Sequence, residues 1–164
     1  MKLTKILICL LIFWTGTLSA SPYFSFKKYQ VEDGLSHNTV WCALQDSYGF
    51  IWLGTSDGLN RYDGRGNKVY RNVFNDKFSL ENNFVEALIE VDKNIWVGTN
   101  SGLYIYDRDT DRFSCFDKTT QYNVYISSEI KKIIKTENGL IWIATLGQGF
   151  FIYEIGRASC RERV

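Results

Sequence analysis

The sequence predicts an all-β fold, an incomplete β-propeller with two full four-stranded blades and most of a third. Three observations carry that reading. A tryptophan-centred motif recurs as Phe50–Leu59, Asn94–Leu103 and Leu140–Gly149. Its tryptophans, Trp52, Trp96 and Trp142, lie 44 and 46 residues apart, and upstream Val40, Val85 and Ile130 are each 45 apart. A period of about 45 belongs to propeller blades or to helical arrays. The segments between turn residues are β-branched, aromatic and too short for three-turn helices, so strands win.

The first blade, residues 39–83, opens with Thr39–Leu44, where Val40, Cys42 and Leu44 alternate onto one face. Turn residues Asp46–Gly49 close that strand, and Phe50–Thr55 follows. Ser56-Asp57-Gly58 turns into Leu59–Asp63, and Gly64–Asn67 turns into Lys68–Val73. The second blade, residues 84–128, repeats the plan with Val85–Glu90, Ile95–Thr99, Leu103–Asp107 and Arg112–Asp117. The third, residues 129–154, supplies Ile130–Lys135, a tight turn at Asn138-Gly139, then Leu140–Thr145 and Phe150–Tyr153. The second strand of each blade meets both neighbours, which explains Ile51-Trp52-Leu53, Ile95-Trp96-Val97 and Ile141-Trp142-Ile143. Gly54, Gly58, Gly98 and Gly102 mark turns or close approaches of backbones. Propellers close with about four to eight blades. The chain therefore reads as a fragment with an apolar flank, poorly soluble by itself. Within the lead-in, residues 21–38, the aromatic stretch Tyr23–Gln30 is expected to be an extra strand of the kind that completes a last blade.

Both ends stand outside the repeat. Met1–Ala20 has the build of an export signal: Lys2 and Lys5, an apolar stretch Ile6–Trp14, and the small-residue site Leu18-Ser19-Ala20. The short apolar core, followed at once by Ser21-Pro22, favours cleavage over an uncleaved anchor. Residues 155–164 (IGRASCRERV) look like the translation of a sequencing adapter and are set aside with Glu154 at the seam.

Composition excludes several classes. Without the two ends, a formal net charge of +1 becomes about −3, and no basic stripe suits nucleic acid. No apolar run of about eighteen residues follows the leader, so no helical span is expected there. Aromatic residues make up 16% of the chain and proline occurs once, which rules out disorder and collagen.

Val31-Glu-Asp-Gly-Leu-Ser-His-Asn-Thr-Val40, with Asp46–Asp63 behind it, resembles the two-component regulator propeller repeat. The likeness is to the opening of the periplasmic sensor of hybrid two-component regulators from gut Bacteroidetes and covers nearly all of Phe24–Tyr153. It implies propellers outside the inner membrane, a membrane helix and a cytoplasmic histidine kinase with a receiver and a DNA-binding domain. It also implies a homodimer when full length, and oligosaccharide as the signal. Kinase, receiver and DNA-binding parts are absent from this sequence, so an enzyme is not expected of this chain.

Candidate site residues carry little chemistry of their own. His37 is the sole histidine and has no nearby partner for zinc, so it reads as a loop residue bonded to backbone. Asp107, Asp109 and Asp111 alternate like calcium ligands, but Arg112 and Lys118 stand where that loop wants Gly and Glu. They read as an acidic hairpin turn, and neither metal nor cofactor is expected. Cys42 on an innermost strand and Cys115 on an outermost one lie three strand spacings apart, roughly 14 Å. That exceeds disulfide reach, so two buried free thiols are expected. Asp57 with Glu81 is a conceivable acid pair that nothing in the sequence favours.

Ligand contact is expected instead from the propeller face that carries the second-to-third-strand loops and the blade-to-blade loops. Phe74, Asn75, Asn82, Asn83, Gln121, Tyr122, Asn123 and Tyr125 lie on those loops, suited to stacking on and hydrogen-bonding a sugar. Two other functions stay open: a propeller scaffold for protein–protein contact, and a secreted propeller hydrolase or lyase.

Overall fold

The computed structural model describes residues 23–116 and 126–154, and the backbone of 161–163. The strands are β1 (Val40–Gln45), β2 (Ile51–Thr55), β3 (Gly58–Tyr62), β4 (Asn67–Tyr70), β5 (Val85–Val91), β6 (Asn94–Thr99), β7 (Gly102–Asp107), β8 (Arg112–Cys115), β9 (Ile130–Lys135), β10 (Leu140–Thr145), β11 (Phe150–Glu154) and β12 (Arg161–Arg163). They form three antiparallel sheets in the orders β1-β2-β3-β4, β5-β6-β7-β8 and β9-β10-β11-β12. Each sheet is one blade. No helix among the described residues is long and apolar enough to cross a membrane.

Local chemistry sets the strand ends. β4 stops three residues earlier than the alternation predicts, because side chains take the next backbone donors. Asn72 N–H donates to Asn83 Oδ1 (2.7 Å) and Val73 N–H to Ser79 Oγ (3.0 Å), which lifts both out of the ladder. At the β2–β3 turns, Gly58 and the equivalent Gly102 adopt φ of 115° and 133°. A Cβ on either would also strike a backbone oxygen, that of Tyr70 or of Ile126. Only glycine suits those positions.

One expectation is corrected. No strand forms over Tyr23–Gln30: the segment lacks sheet pairing, and Tyr23, Phe24 and Phe26 are almost fully exposed. The last blade that such a strand completes is not one of the three described sheets. Its end is tied down locally, where Gln30 N–H donates to Asp33 Oδ2 and Tyr29 packs edge-on against Tyr62. The third blade has the three strands expected of it, β9, β10 and β11, with a short fourth from outside the repeat. Phe150, Phe151 and Ile152 of β11 pair with Arg163, Glu162 and Arg161 of β12, which comes from the segment set aside as foreign. An edge strand offers a row of open backbone groups, and a short extended segment pairs with it without side-chain specificity.

The core lies between blades. Blades 1 and 2 enclose Trp52, Leu59, Tyr70, Leu80, Val85, Ile95, Val97, Tyr104, Tyr106 and Phe113. Blades 2 and 3 enclose Ala87, Trp96, Leu103, Phe116, Ile130, Ile133, Ile141, Ile143 and Phe151. Trp52 is fully buried and Trp96 nearly so. Trp142 lies on the far face of blade 3 and is only half-buried, stacked on Phe150 of its own sheet at 5.3 Å.

The blade 1–2 contact also has a polar clamp. The Asp46 carboxylate, fully covered, accepts from Trp52 Nε1 (2.7 Å) and Arg108 Nη1 (2.9 Å). Arg108 reaches on to Glu90 (3.1 Å), whose carboxylate takes both the N–H and the hydroxyl of Ser47. The Arg108 guanidinium lies 4.2 Å from the centre of the Tyr48 ring. Burial works against the charge on Asp46. The bonds from Trp52, Phe50 and Arg108 outweigh it and hold the carboxyl below its ordinary value.

Candidate ligand-binding site

On the face where ligand contact is expected, the first interblade loop is a built object. Ser79 Oγ ties Val73 to Asp76, and Phe78 C=O accepts from Phe113 N–H on β8 (2.8 Å). Leu80 is the loop's buried anchor. Asn75 sits at the tip in the left-handed region (φ 64°), beside Phe74, which is 89% exposed. Asn72, Val73, Phe74, Asn75, Asp76, Lys77 and Glu81 surround an open hollow of about 310 Å³.

The other expected contacts divide. Asn83 is engaged in structure: its Oδ1 accepts from Asn72, its Nδ2 donates to Asp57 (3.2 Å), and its carbonyl accepts from Gly58 N–H. Asn82 turns its Oδ1 onto Phe84 N–H (2.8 Å). Both shape the loop and are not aimed outward, so only Phe74 and Asn75 present themselves from this group. Gln121, Tyr122, Asn123 and Tyr125 lie outside the described residues.

Asp57 and Glu81 each bond other residues. Asp57 bonds Arg71 (3.0 Å) and Asn83, while Glu81 accepts from the Tyr104 hydroxyl (3.0 Å). Burial, with the Glu81 carboxylate adding to it, pushes that phenol up. Asp107, Asp109 and Asp111 form the hairpin turn between β7 and β8 and do not converge. Asp107 caps Asp109 and Thr110, while Asp111 accepts from Tyr106 of its own blade and reaches blade 1, where Tyr70 and Lys68 donate to it. Burial opposes that charge too, but the three donors hold the Asp111 carboxyl at about 2. His37 uses Nδ1 to accept from Thr39 N–H (2.9 Å), as a loop residue would. Cys42 and Cys115 are not joined in a disulfide, and both are half-buried where full burial was expected. Burial pushes the Cys42 thiol up to about 12, away from the thiolate form that a nucleophile needs.

Sequence reasoning missed the inner wall of the same face. Where β1, β5 and β9 come together, Trp41, Ala43, Glu86, Leu88, Lys131 and Lys132 line a groove of about 330 Å³. Trp41 is half exposed, with its Nε1 donating to Ser56 Oγ (2.9 Å) and its ring against Phe84 at 5.4 Å. Lys131 bonds Glu86 (2.9 Å) from the neighbouring blade and Glu129 from its own. A signal was present: Trp41, Glu86 and Lys131 each directly follow one of the apolar residues spaced 45 apart.

Comparison with known proteins agrees with this geometry. Residues 34–57 match the family model of the two component regulator propeller. A 57-residue stretch, 35% of this chain, is 46% identical to histidine kinase P4 of Formosa agariphila, of which it covers 4%. The structure superposes on the extracellular domain of BT3049 from B. thetaiotaomicron, a protein described as a hybrid two component system. The TM-score is 0.71 at 26% identity, over 84% of this chain and 20% of that one. The extracellular domain of BT4673 from the same organism, described as a one component system, shares the fold. There the TM-score is 0.61 at 23% identity, over 77% of this chain and 16% of that one. Residues 34–57 thus match the propeller repeat of two-component regulators, and the chain spans about a fifth or less of the length of these relatives.

Proposed function

We propose that this chain is part of the extracytoplasmic sensing propeller of a hybrid two-component regulator, and that its ligand is an oligosaccharide. One observation supports this above the others: a repeat of that regulator family, folded as blades like those of an extracellular domain, presents a prebuilt loop face. In this reading the leader exports the chain to the periplasm and the full-length protein is anchored in the inner membrane. The remaining blades and the kinase are supplied by the rest of that protein. Ligand on the loop face favours one arrangement of two sensor subunits over another, and the shift in population crosses the membrane.

The test is a thermal melt of the full-length ectodomain with and without oligosaccharides. A ligand that binds only the folded state raises the midpoint with concentration. No rise with any sugar, together with capture of a folded protein partner, would give the scaffold reading instead. Release of shorter sugars would give the hydrolase or lyase. Phe74→Ala in that ectodomain is the better probe of the outer loop, because Asn83→Ala would disturb the loop's own bonding.

A further inference from the structure

The innermost strand of every blade breaks register at the same place. Val40 pairs with Thr55 and Cys42 with Gly54, which leaves Trp41 as the extra residue. Val85 pairs with Thr99 and Ala87 with Gly98, leaving Glu86. Ile130 pairs with Thr145 and Lys132 with Ala144, leaving Lys131. The three bulged residues are spaced 45 and 45 apart, so they are one position of the repeat. A bulge turns its extra side chain out of the ladder, and bulges recur next to binding sites for that reason. Here all three point into one groove.

The flanking positions repeat their chemistry: Val40, Val85 and Ile130 before the bulge, and Ala43, Leu88 and Ile133 beyond it. The bulge position does not. It holds an indole, a carboxylate and an ammonium, the last two paired across neighbouring blades. We propose that Trp41, Glu86 and Lys131 form a recognition ring that binds one sugar ring of a neutral oligosaccharide. The proposal rests on the sensor reading above and names its subsite. The open part of the Trp41 ring, fixed at its edge by Ser56 and Phe84, takes the apolar face of a pyranose. The Glu86–Lys131 pair offers an acceptor and a donor side by side to neighbouring hydroxyls. Neutrality follows from the charges, since Glu86 and Glu129 balance Lys131 and Lys132 around the groove.

The experiment uses calorimetric titration of the full-length ectodomain with neutral cello-, manno-, xylo- and galacto-oligosaccharides, and with oligogalacturonate and chondroitin sulfate fragments as anionic probes. The best neutral sugar should lose at least about tenfold in affinity with Trp41→Ala and about fivefold with Glu86→Gln or Lys131→Met. Arg65→Ala, in an exposed turn on the opposite face, should bind as wild type. Trp41→Phe should recover part of the affinity, which a merely misfolded Trp41→Ala would not explain. Wild-type affinity in all three ring variants, with the sugar still bound, overturns the ring and leaves the sensor reading standing. Preference for the anionic probes overturns the neutral assignment. Absence of any saccharide binding overturns both readings.

Discussion

Blades 1 and 3 carry the same Ile-Trp-hydrophobic motif and place its indole in opposite circumstances. Trp52 is fully buried between sheets, touches Tyr70 and Tyr106, and delivers its N–H to Asp46. Trp142 is half-buried on an uncovered face, and its Nε1 is shielded from solvent with no acceptor among the described residues. The repeat encodes a large apolar group that suits a neighbouring blade, but only the neighbour converts it into a core residue. What stabilises a propeller blade is thus decided largely outside that blade.

The sharpest way to break the comparison is to delete both indoles. Trp52→Ala should cost about 3–5 kcal/mol, as large aromatic truncations in a core do. Trp142→Ala should cost less than half of that, because fewer contacts are lost. Urea denaturation of the purified chain measures both, and equal losses would sink the claim that the neighbouring blade sets the value. Arg108 tests the polar side of the same interface. Its side chain is 12% exposed and Asp46 is wholly covered, so solvent screens the pair little. Arg108→Met should cost about 3 kcal/mol by leaving Asp46 as a buried, poorly compensated charge.

The same clamp sets a pH dependence. The Asp46 carboxyl lies lower in the folded chain than the unfolded value of about 3.9. Its contribution is therefore complete above that unfolded value and is lost as pH falls through the folded one. Stability of the wild type should decline below about pH 4, and Asp46→Asn should flatten the decline while lowering stability at neutral pH. An unchanged acid limb in Asp46→Asn would show that the clamp is not what titrates.

The glycine after Trp-hydrophobic sharpens the comparison further. Gly54 and Gly98 sit where blades meet. A Cβ at Gly54 would lie 2.4 Å from Cys42 Sγ and 2.9 Å from the Val85 carbonyl, and one at Gly98 would lie 2.6 Å from Ile130. The third repeat has Ala144 at that position, on the uncovered blade. Gly54→Ala and Gly98→Ala should each cost about 1–3 kcal/mol through overpacking, while Ala144→Gly should change stability by less than about 1 kcal/mol. Thermal melts of the three variants decide it; a neutral Gly98→Ala would mean the blades can slide apart at no cost.

Sequence alone carried the period, the strands and the interface tryptophans, because each depends on alternation or spacing within one blade. It failed where the answer depended on a partner. Tyr23–Gln30 has the composition of a strand but pairs with none of the three sheets, and Asn83 looks like a ligand contact until Asn72 and Asp57 are seen to bond it. The bulged Trp41, Glu86 and Lys131 were concealed for a related reason. Alternation assigns every strand residue to one face or the other, and a bulge belongs to neither.

The smallest effect tests whether the Trp142 deficit is chemical as well as geometric. In blade 1 the turn before β2 begins at Asp46, whose N–H donates to Phe50 and whose carbonyl accepts from Gly49. Thr136 makes the same two bonds, to Leu140 and from Gly139, so the two turns superimpose in hydrogen bonding. Asp46 stands six residues before Trp52, and Thr136 stands six before Trp142. Blade 3 therefore has the cradle for an indole N–H without the acceptor. Thr136→Asp should supply it and stabilise the chain by about 0.5–1.5 kcal/mol, despite losing the Thr136 hydroxyl bond to the Leu140 carbonyl. The indole N–H of Trp142 should at the same time shift in the NMR spectrum and exchange more slowly with solvent. A gain in stability without that shift would trace the effect to the turn and leave the indole unexplained. No gain in either would mean that shielding, and not the missing acceptor, is what separates Trp142 from Trp52.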